Sequence, residues 1–273
     1  MRLTKAIAED LHSVDLSQFT DLDDDAAEVL ANYAGELDLS GLTSLSDELA
    51  EALAKHQGIL CLDGLASLPE EQAEALSNHQ GNLSLSGLTS LSGAAAEALI
   101  KHEGHLDLSG LTSLSTTTAE ALAKYKNDLN LSGVKSLTDG AAKALGRHVG
   151  QWLYLDGLES LSEAAAEALA KHQGLLDLSG LTSLSDRAAA ALARHRGKAL
   201  ILESLTSMPD SAAKPLSKKT GALDLSGLTS LSDELAAALA KHRGSLNLSG
   251  LTSLSDVAAL ALSEHQGGEL WLH

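Results

Sequence analysis

The sequence predicts an α/β solenoid, right-handed, with short parallel strands on a concave face and helices on a convex one. Three observations predict it. A unit close to Leu-x-Leu-Ser-Gly-Leu-Thr-Ser-Leu-Ser recurs about every 23 residues, marked by Gly41, Gly64, Gly87, Gly110, Gly133, Gly157, Gly180, Ser204, Gly227 and Gly250, with Gln18 in the same place near the start. Each unit continues into an alanine-rich segment that ends in Lys-His-x-Gly or a close variant. Aromatic residues make up only 2% of the chain, so leucine and alanine must fill thin repeated layers instead of a core built on large rings.

One repeat, Gly35 to Gly58, justifies the elements in order. Leu37-Asp38-Leu39 alternates apolar and polar residues over too few positions to be anything but a short strand. Leu42 and Leu45 then turn inward. Ser46 is a helix N-cap, Asp47 and Glu48 place acids in the first turn, and Lys55 and His56 place bases near the end. Leu49, Ala50 and Leu53 form the inward stripe, and Gly58 is expected to close the helix in a left-handed turn. The cap position recurs as Asp23, Ser46, Ser92, Ser115, Thr138, Ser162, Ser185, Ser232 and Ser255, with Pro69 and Pro209 as helix starts of another kind. Pro215 falls inside a helix and should kink or shorten it; the same coil has Ser204 for glycine and Lys219 for histidine, so it is the most irregular one.

Twelve strand signals run from Val14–Leu16 through Leu37–Leu39 to Leu270–Leu272, each expected to pair in parallel with its neighbours. Strands stack about 4.8 Å apart while helices need roughly 8–10 Å, so the stack must curve. The spacing lengthens by one residue near Gln151 and near Lys198, where a small bulge is expected. The whole chain, 1–273, reads as one array: 1–13 an N-terminal helix, 14–269 about eleven coils, 270–273 a terminal strand.

These residues resemble the leucine-rich repeats, in particular the bacterial variety whose unit closes in a Val/Leu-Thr-Ser-Ile/Leu turn; compare Leu37-x-Leu39-x-x-Leu42-Thr43-Ser44-Leu45. The resemblance covers nearly the full chain. It implies a binding scaffold without naming a ligand. Most such repeats carry an asparagine after the strand, and here that place is taken by Phe19, Leu42, Leu65, Leu88, Leu111 and Val134. A serine ladder (Ser44, Ser67, Ser90, Ser113 and their equivalents) is expected to take over the bonding of backbone groups between coils.

Charge and motifs exclude several functions. The chain has 19 Lys and Arg against 37 Asp and Glu, a net charge of -18, which would repel a phosphate backbone, so no nucleic-acid partner is expected. No segment is apolar enough to be a signal peptide or to span a membrane, and a cytoplasmic location is the expectation. The single Cys61 excludes an internal disulfide framework. No Gly-x-Ser-x-Gly, His-Glu-x-x-His, phosphate loop or dinucleotide turn is present, so no catalytic residue, cofactor or metal is expected and the chain reads as a non-enzyme. Three Asn-Leu-Ser triplets, at Asn82, Asn130 and Asn247, arise from the strand consensus, not from a glycosylation signal.

Two patterns are candidates for function. At the helix C-termini run Tyr33, His56, His79, His102, Tyr125, His148, His172, His195, Lys219, His242 and His265. Because Tyr and Lys replace His freely, the ladder reads as a structural cover that caps carbonyls; pH sensing and metal binding are the alternatives. The positions between strand leucines form the face for a protein or peptide partner. There Trp152, Tyr154, Leu175 and Ile201 bring apolar bulk to adjacent strands, rimmed by Asp156, Asp177 and Glu203, as an interface anchor requires. A purely structural spacer in a larger protein is the alternative function, and open leucine-rich ends would invite end-to-end homodimers.

Overall fold

The strands are short because each coil turns away as soon as its two leucines are inside. The computed structural model describes residues 1–8 and 14–272. Packing divides it into two compact units, Met1–Val134 and Lys135–His273.

In the first unit, β1 (Arg2–Leu3) and α1 (Lys5–Ala8) are followed by β2 (Asp21–Leu22) and α2 (Asp24–Ala31). Four regular coils come next: β3 (Leu37–Asp38) with α3 (Asp47–Leu53), β4 (Leu60–Cys61) with α4 (Glu70–Leu76), β5 (Leu83–Ser84) with α5 (Gly93–Leu99), and β6 (Leu106–Asp107) with α6 (Thr116–Leu122), and then β7 (Leu129–Asn130). Strands β3 to β7 pair in parallel, leucine opposite leucine: Leu37, Leu60, Leu83, Leu106 and Leu129 lie in one row. In the second unit, α7 (Asp139–Leu145) precedes β8 (Trp152–Tyr154), α8 (Glu163–Leu169), β9 (Leu175–Asp177), α9 (Asp186–Leu192), β10 (Ala199–Ile201), α10 (Ala213–Leu216), β11 (Ala222–Asp224), α11 (Asp233–Leu239), β12 (Leu246–Asn247), α12 (Asp256–Ser263) and β13 (Leu270–Trp271). Strands β8 to β13 are again parallel and in register.

The core is the repeat read inward. Leu37, Leu60, Leu106, Leu153 and Leu200, with Leu42 and Leu53, are at most 1% exposed. Each such leucine contributes roughly 1.5–3 kcal/mol by leaving water. All nine predicted Ser, Thr and Asp caps accept a hydrogen bond from a backbone N–H of the first turn, as Ser92 does from Ala95 at 3.0 Å. Pro69 and Pro209 stand at the same cap position in extended backbone and bring no side-chain acceptor. As expected, Pro215 cuts its helix down: a 3-10 turn, Asp210–Ala212, runs into the four-residue α10.

Several expectations are corrected. Val14–Leu16 is not a strand; Leu16–Gln18 is a 3-10 turn capped by Asp15, and the first strand pairing is β1 with β2, placed one turn later in the repeat. Of the N-terminal helix expected over 1–13, Lys5–Ala8 is helical, and 9–13 lie outside the described residues. Regular helices are only seven residues long, so Lys55 follows the α3 C-cap Ala54 and sits beyond the last turn. The extra residue near Lys198 lies ahead of β10 and leaves the ladder unbroken, since Leu175 pairs Ala199 and Ala199 pairs Ala222; it lengthens a loop and makes no bulge.

Gly58 is the most instructive correction. Among the described residues only Gly35, with φ of 147°, has a positive φ. Gly58 is glycine for want of space: a Cβ there would stand 1.9 Å from the Gly35 carbonyl oxygen, and at Gly81 1.7 Å from that of Gly58. A second column is equally tight, as a Cβ on Gly87 would stand 1.8 Å from the Asp63 oxygen. Gly81→Ala is therefore expected to lower stability by at least about 3 kcal/mol, and Ser92→Ala, which loses one cap, by about 1 kcal/mol. Urea unfolding midpoints of the two variants check this; the opposite ranking would refute steric exclusion as the reason for the glycines.

Candidate functional site

Side chains alternate along a strand, so the leucines of each Leu-x-Leu point to the core and the middle residue to the open strand face. On β8 this puts Trp152 and Tyr154 on the same face, with Leu153 fully buried between them. Trp152 is 39% exposed, Tyr154 half-buried, and their rings stack with centroids 5.7 Å apart. Register places Leu175 opposite Trp152, and Asp177 opposite both Tyr154 and Ile201. Five of the seven predicted residues, Trp152, Tyr154, Leu175, Asp177 and Ile201, thus sit on one face of β8, β9 and β10, Leu175 buried among its neighbours, and Asp156, half-buried, lies two residues past Tyr154. Glu203, two residues past Ile201, is exposed.

The rim is electrostatically loaded. Burial pushes the Asp177 carboxyl up, and Asp156 and Asp224 push it further, against the bonds it accepts from Ser179. Glu203 is raised too, by desolvation and then by Asp224 and Asp177. Carboxylates that resist sharing one face favour a cation among them.

These acids have a second task that the sequence pattern alone does not show. Asp38, Asp107, Asn130, Asp177, Asp224 and Asn247 each accept, through Oδ1, the backbone N–H two residues on, at 2.9–3.1 Å. This is an Asx turn, which bends the chain out of the strand. Its signal in the sequence is the recurring Asp/Asn-Leu-Ser triplet. On the same row, burial first, then Asp63, Glu36 and Asp38, push the Cys61 thiol up to about 11, which holds it in the less reactive protonated form.

The histidine ladder lies inside. His56, His79, His102, His148, His172, His195 and His242 are at most 4% exposed, as are Tyr125 and Lys219. Three members of different chemistry reach back to a carbonyl of the preceding coil: His56 Nε2 lies 2.9 Å from the Gly35 oxygen, Tyr125 OH donates to Gly104, and Lys219 Nζ donates to the His195 oxygen at 3.0 Å. The rings stack, with centroids 5.9 Å apart for His56 and His79 and 5.8 Å for His79 and His102. Stacking turns ring faces, not lone pairs, toward each other, and among the described residues no three His, Cys, Asp or Glu side chains are grouped to hold a metal.

Comparisons with known proteins bear on this fold. No model of a known protein family matches the chain, and no curated protein matches it. Solved structures do. A leucine-rich repeat protein of Leptospira interrogans superposes with a TM-score of 0.55 at 19% identity, covering 99% of this chain and 69% of that one. The Drosophila Toll–Spatzle complex gives 0.56 at 18% identity, covering 99% of this chain and 41% of that one. The TLR13–ssRNA13 complex gives 0.51 at 16% identity, covering 89% of this chain and 44% of that one. The fold is that of the leucine-rich repeats.

Within the leucine-rich repeat fold this chain departs from the expectation for its serine ladder. Ser44, Ser67, Ser90, Ser113 and their equivalents are exposed, so they do not bond buried groups between coils. That work falls to the strand ladder, to the carbonyl contacts of His56, Tyr125 and Lys219, and at three places to threonines: Thr112 and Thr252 donate, from backbone and hydroxyl alike, to the carbonyls of Thr89 and Thr229 one coil back, and the Thr118 hydroxyl donates to the Leu91 carbonyl. Among the described residues no helix is long and apolar enough to cross a membrane.

The buried ladder fixes a pH dependence. His79 is held down to about 4 by burial, then by His102 and His56, and its Nδ1 accepts from the Gly81 amide; His195 is held down to about 3 by burial, then by Lys219 and His172. Both are neutral when folded, whereas unfolded histidines titrate near pH 6.5. Below that pH the unfolded chain binds more protons, so the stability is fully present above about pH 6.5 and is lost as pH falls toward about 4. For His79 the loss is of the order of 3 kcal/mol, since each tenfold weakening of proton binding on folding is worth about 1.36 kcal/mol. His79→Tyr, which copies Tyr125, is expected to reduce the fall in urea midpoint between pH 7.5 and about pH 5; an unchanged fall would show that the ladder histidines do not carry it.

Proposed function

We propose that the chain is a non-catalytic interaction scaffold that binds a cationic, aromatic-containing peptide segment on its strand face, centred on Trp152 and Tyr154. One observation carries the reading. A stacked Trp-Tyr pair stands partly open on β8, beside the Asp156 and Asp177 carboxylates, with Ile201 on β10 and Glu203 just past it. Aromatic rings lose little conformational entropy on binding, and a cation beside them gains from both the ring faces and the acids. The Toll–Spatzle neighbour, a complex by its name, is consistent with recognition by this fold, and that concerns Toll alone. A structural spacer would have no reason to keep a tryptophan 39% exposed.

A peptide-display selection against the wild-type protein tests this. Enriched peptides should be rich in Lys or Arg and aromatic residues, and Trp152→Ala with Tyr154→Ala should weaken them at least about tenfold, roughly 1.4 kcal/mol or more, while the circular dichroism spectrum is unchanged. Selected peptides that bind the double variant as well as the wild type would refute the site.

A second observation favours self-association at the last coil. Val257 and Leu260 on α12 and Trp271 and Leu272 at β13 are 41–68% exposed. We propose an end-to-end homodimer there. Light scattering should give twice the 28.2 kDa chain mass, returning to one chain mass on Leu260→Glu; a wild-type monomer at high concentration would refute it.

A further inference from the structure

We propose that the helix side of the irregular coil is a binding site for a compact polyphosphate, free or carried on a nucleotide, held by Arg194, Arg196, Lys214, Lys218 and Lys219. The site begins with Pro215. It reduces the helix to a 3-10 turn and the four-residue α10, and beside this shortened element lies a cavity of about 670 Å³. Five cations and Ser211 line it, and no Asp or Glu does. In a chain with 19 Lys and Arg and a net charge of -18, that concentration of one sign is the reverse of the surroundings.

The sequence shows how the acids were removed. One helix position carries Glu51, Glu74, Glu97, Glu120 and Glu167 in five other coils and Lys143 in a sixth. Lys101 pairs with Glu74 at 3.2 Å, and Lys124 pairs with Glu97. In the irregular coil the position is Lys214, and in the coils to either side it is Ala190 and Ala237. Among the described residues, Arg194, Arg196, Lys214 and Lys218 make no ion pair. Lys219 lies at the inner wall, 3% exposed, its ammonium 3.4 Å from His195 Nδ1; burial holds it down to about 8, and a bound anion would supply the missing counter-charge.

Size and field select the ligand. Single phosphate ions would leave most of these donors unmet, while an extended nucleic acid or an acidic protein would meet the repulsion of the remaining 37 carboxylates. A compact chain of phosphates stays within the cluster's own field, which salt screens beyond about 8–10 Å, and offers several oxygens for the bidentate arginine forks.

Calorimetric titration of the whole chain with inorganic tripolyphosphate, and in parallel with ATP, tests the proposal. Tripolyphosphate is expected to bind at one site and to weaken at least about tenfold between roughly 50 and 200 mM salt. Tighter binding of ATP would add a nucleoside to the ligand, and equal binding would restrict it to the phosphate chain. Arg194→Ala with Lys218→Ala, both exposed and tolerant of truncation, should weaken binding at least about tenfold, against less than about twofold for the control Lys101→Ala with Lys124→Ala. In 13C-lysine-labelled protein the Lys219 signal should shift with the same saturation curve. No binding at millimolar tripolyphosphate, equal loss in both double variants, a Lys219 signal that stays put, or binding of an RNA oligomer without binding of tripolyphosphate would each overturn it.

Discussion

Within each unit the coils lie so close on one another that backbone touches backbone. A methyl group on Gly58, Gly81 or Gly87 would stand under 2 Å from a carbonyl oxygen one coil earlier. Strand pairing alone would set the spacing on one side of the coil; these contacts set it at both turns, so each coil is pinned at three places around its circuit. That leaves no room for a large side chain between layers. It explains why alanine fills the helices, with Ala50, Ala96, Ala142 and Ala189 at 0 or 1% exposure, and why rings recur at the ladder, where stacking matches the layer spacing.

The same constraint accounts for the freedom of the ladder to use His, Tyr or Lys. What the position must supply is a side chain able to lie flat against its neighbours, and where it is long enough it also bonds across to the coil before it. His56, Tyr125 and Lys219 do this with three different donors. Desolvation is the cost, and it shows as histidines held neutral and a lysine held down to about 8. Titration is therefore a consequence of packing in this chain, concentrated where a charged group would lose most by being inside.

Much of this is legible in the sequence, because a period makes each residue a repeated measurement of one environment. Spacing alone points Leu42, Leu45, Leu49 and Leu53 inward, and they are buried; it names nine caps, and nine accept their bonds. The failures come where one residue type serves two physical ends. Glycine at Gly58 suggests a left-handed turn but marks a close approach, and pattern alone does not separate conformation from clearance. The serine ladder suggests a bonding role because it recurs, yet recurrence on an exposed turn needs only solubility and turn propensity. The Asp-Leu-Ser triplet resembles a variable surface, although its carboxylate holds the turn that ends the strand. The candidate patch does assemble on β8 to β10, because register follows from the period; the burial of Leu175 follows from its neighbours' bulk, which the period does not encode.

In such a fold, departures from the repeat carry more information than the repeat itself. A position that must be filled the same way in every coil reports packing, so a coil that drops the consensus residue has either tolerated a loss or found another use for the place. The two cases separate by whether the replacements agree with each other. Pro215, Lys214 and Lys219 all differ from consensus in one coil, beside the consensus Lys218, and all act in one direction: a shorter helix, a cavity, and positive charge around it. Trp152 and Tyr154 likewise replace small or polar face residues on a single strand and stack on one another. Random drift under a packing constraint would scatter its changes over layers and leave their charges and sizes uncorrelated. These two clusters are correlated within themselves and lie on different sides of the coil, strand face and helix face, so a ligand at one has no steric reason to exclude a ligand at the other.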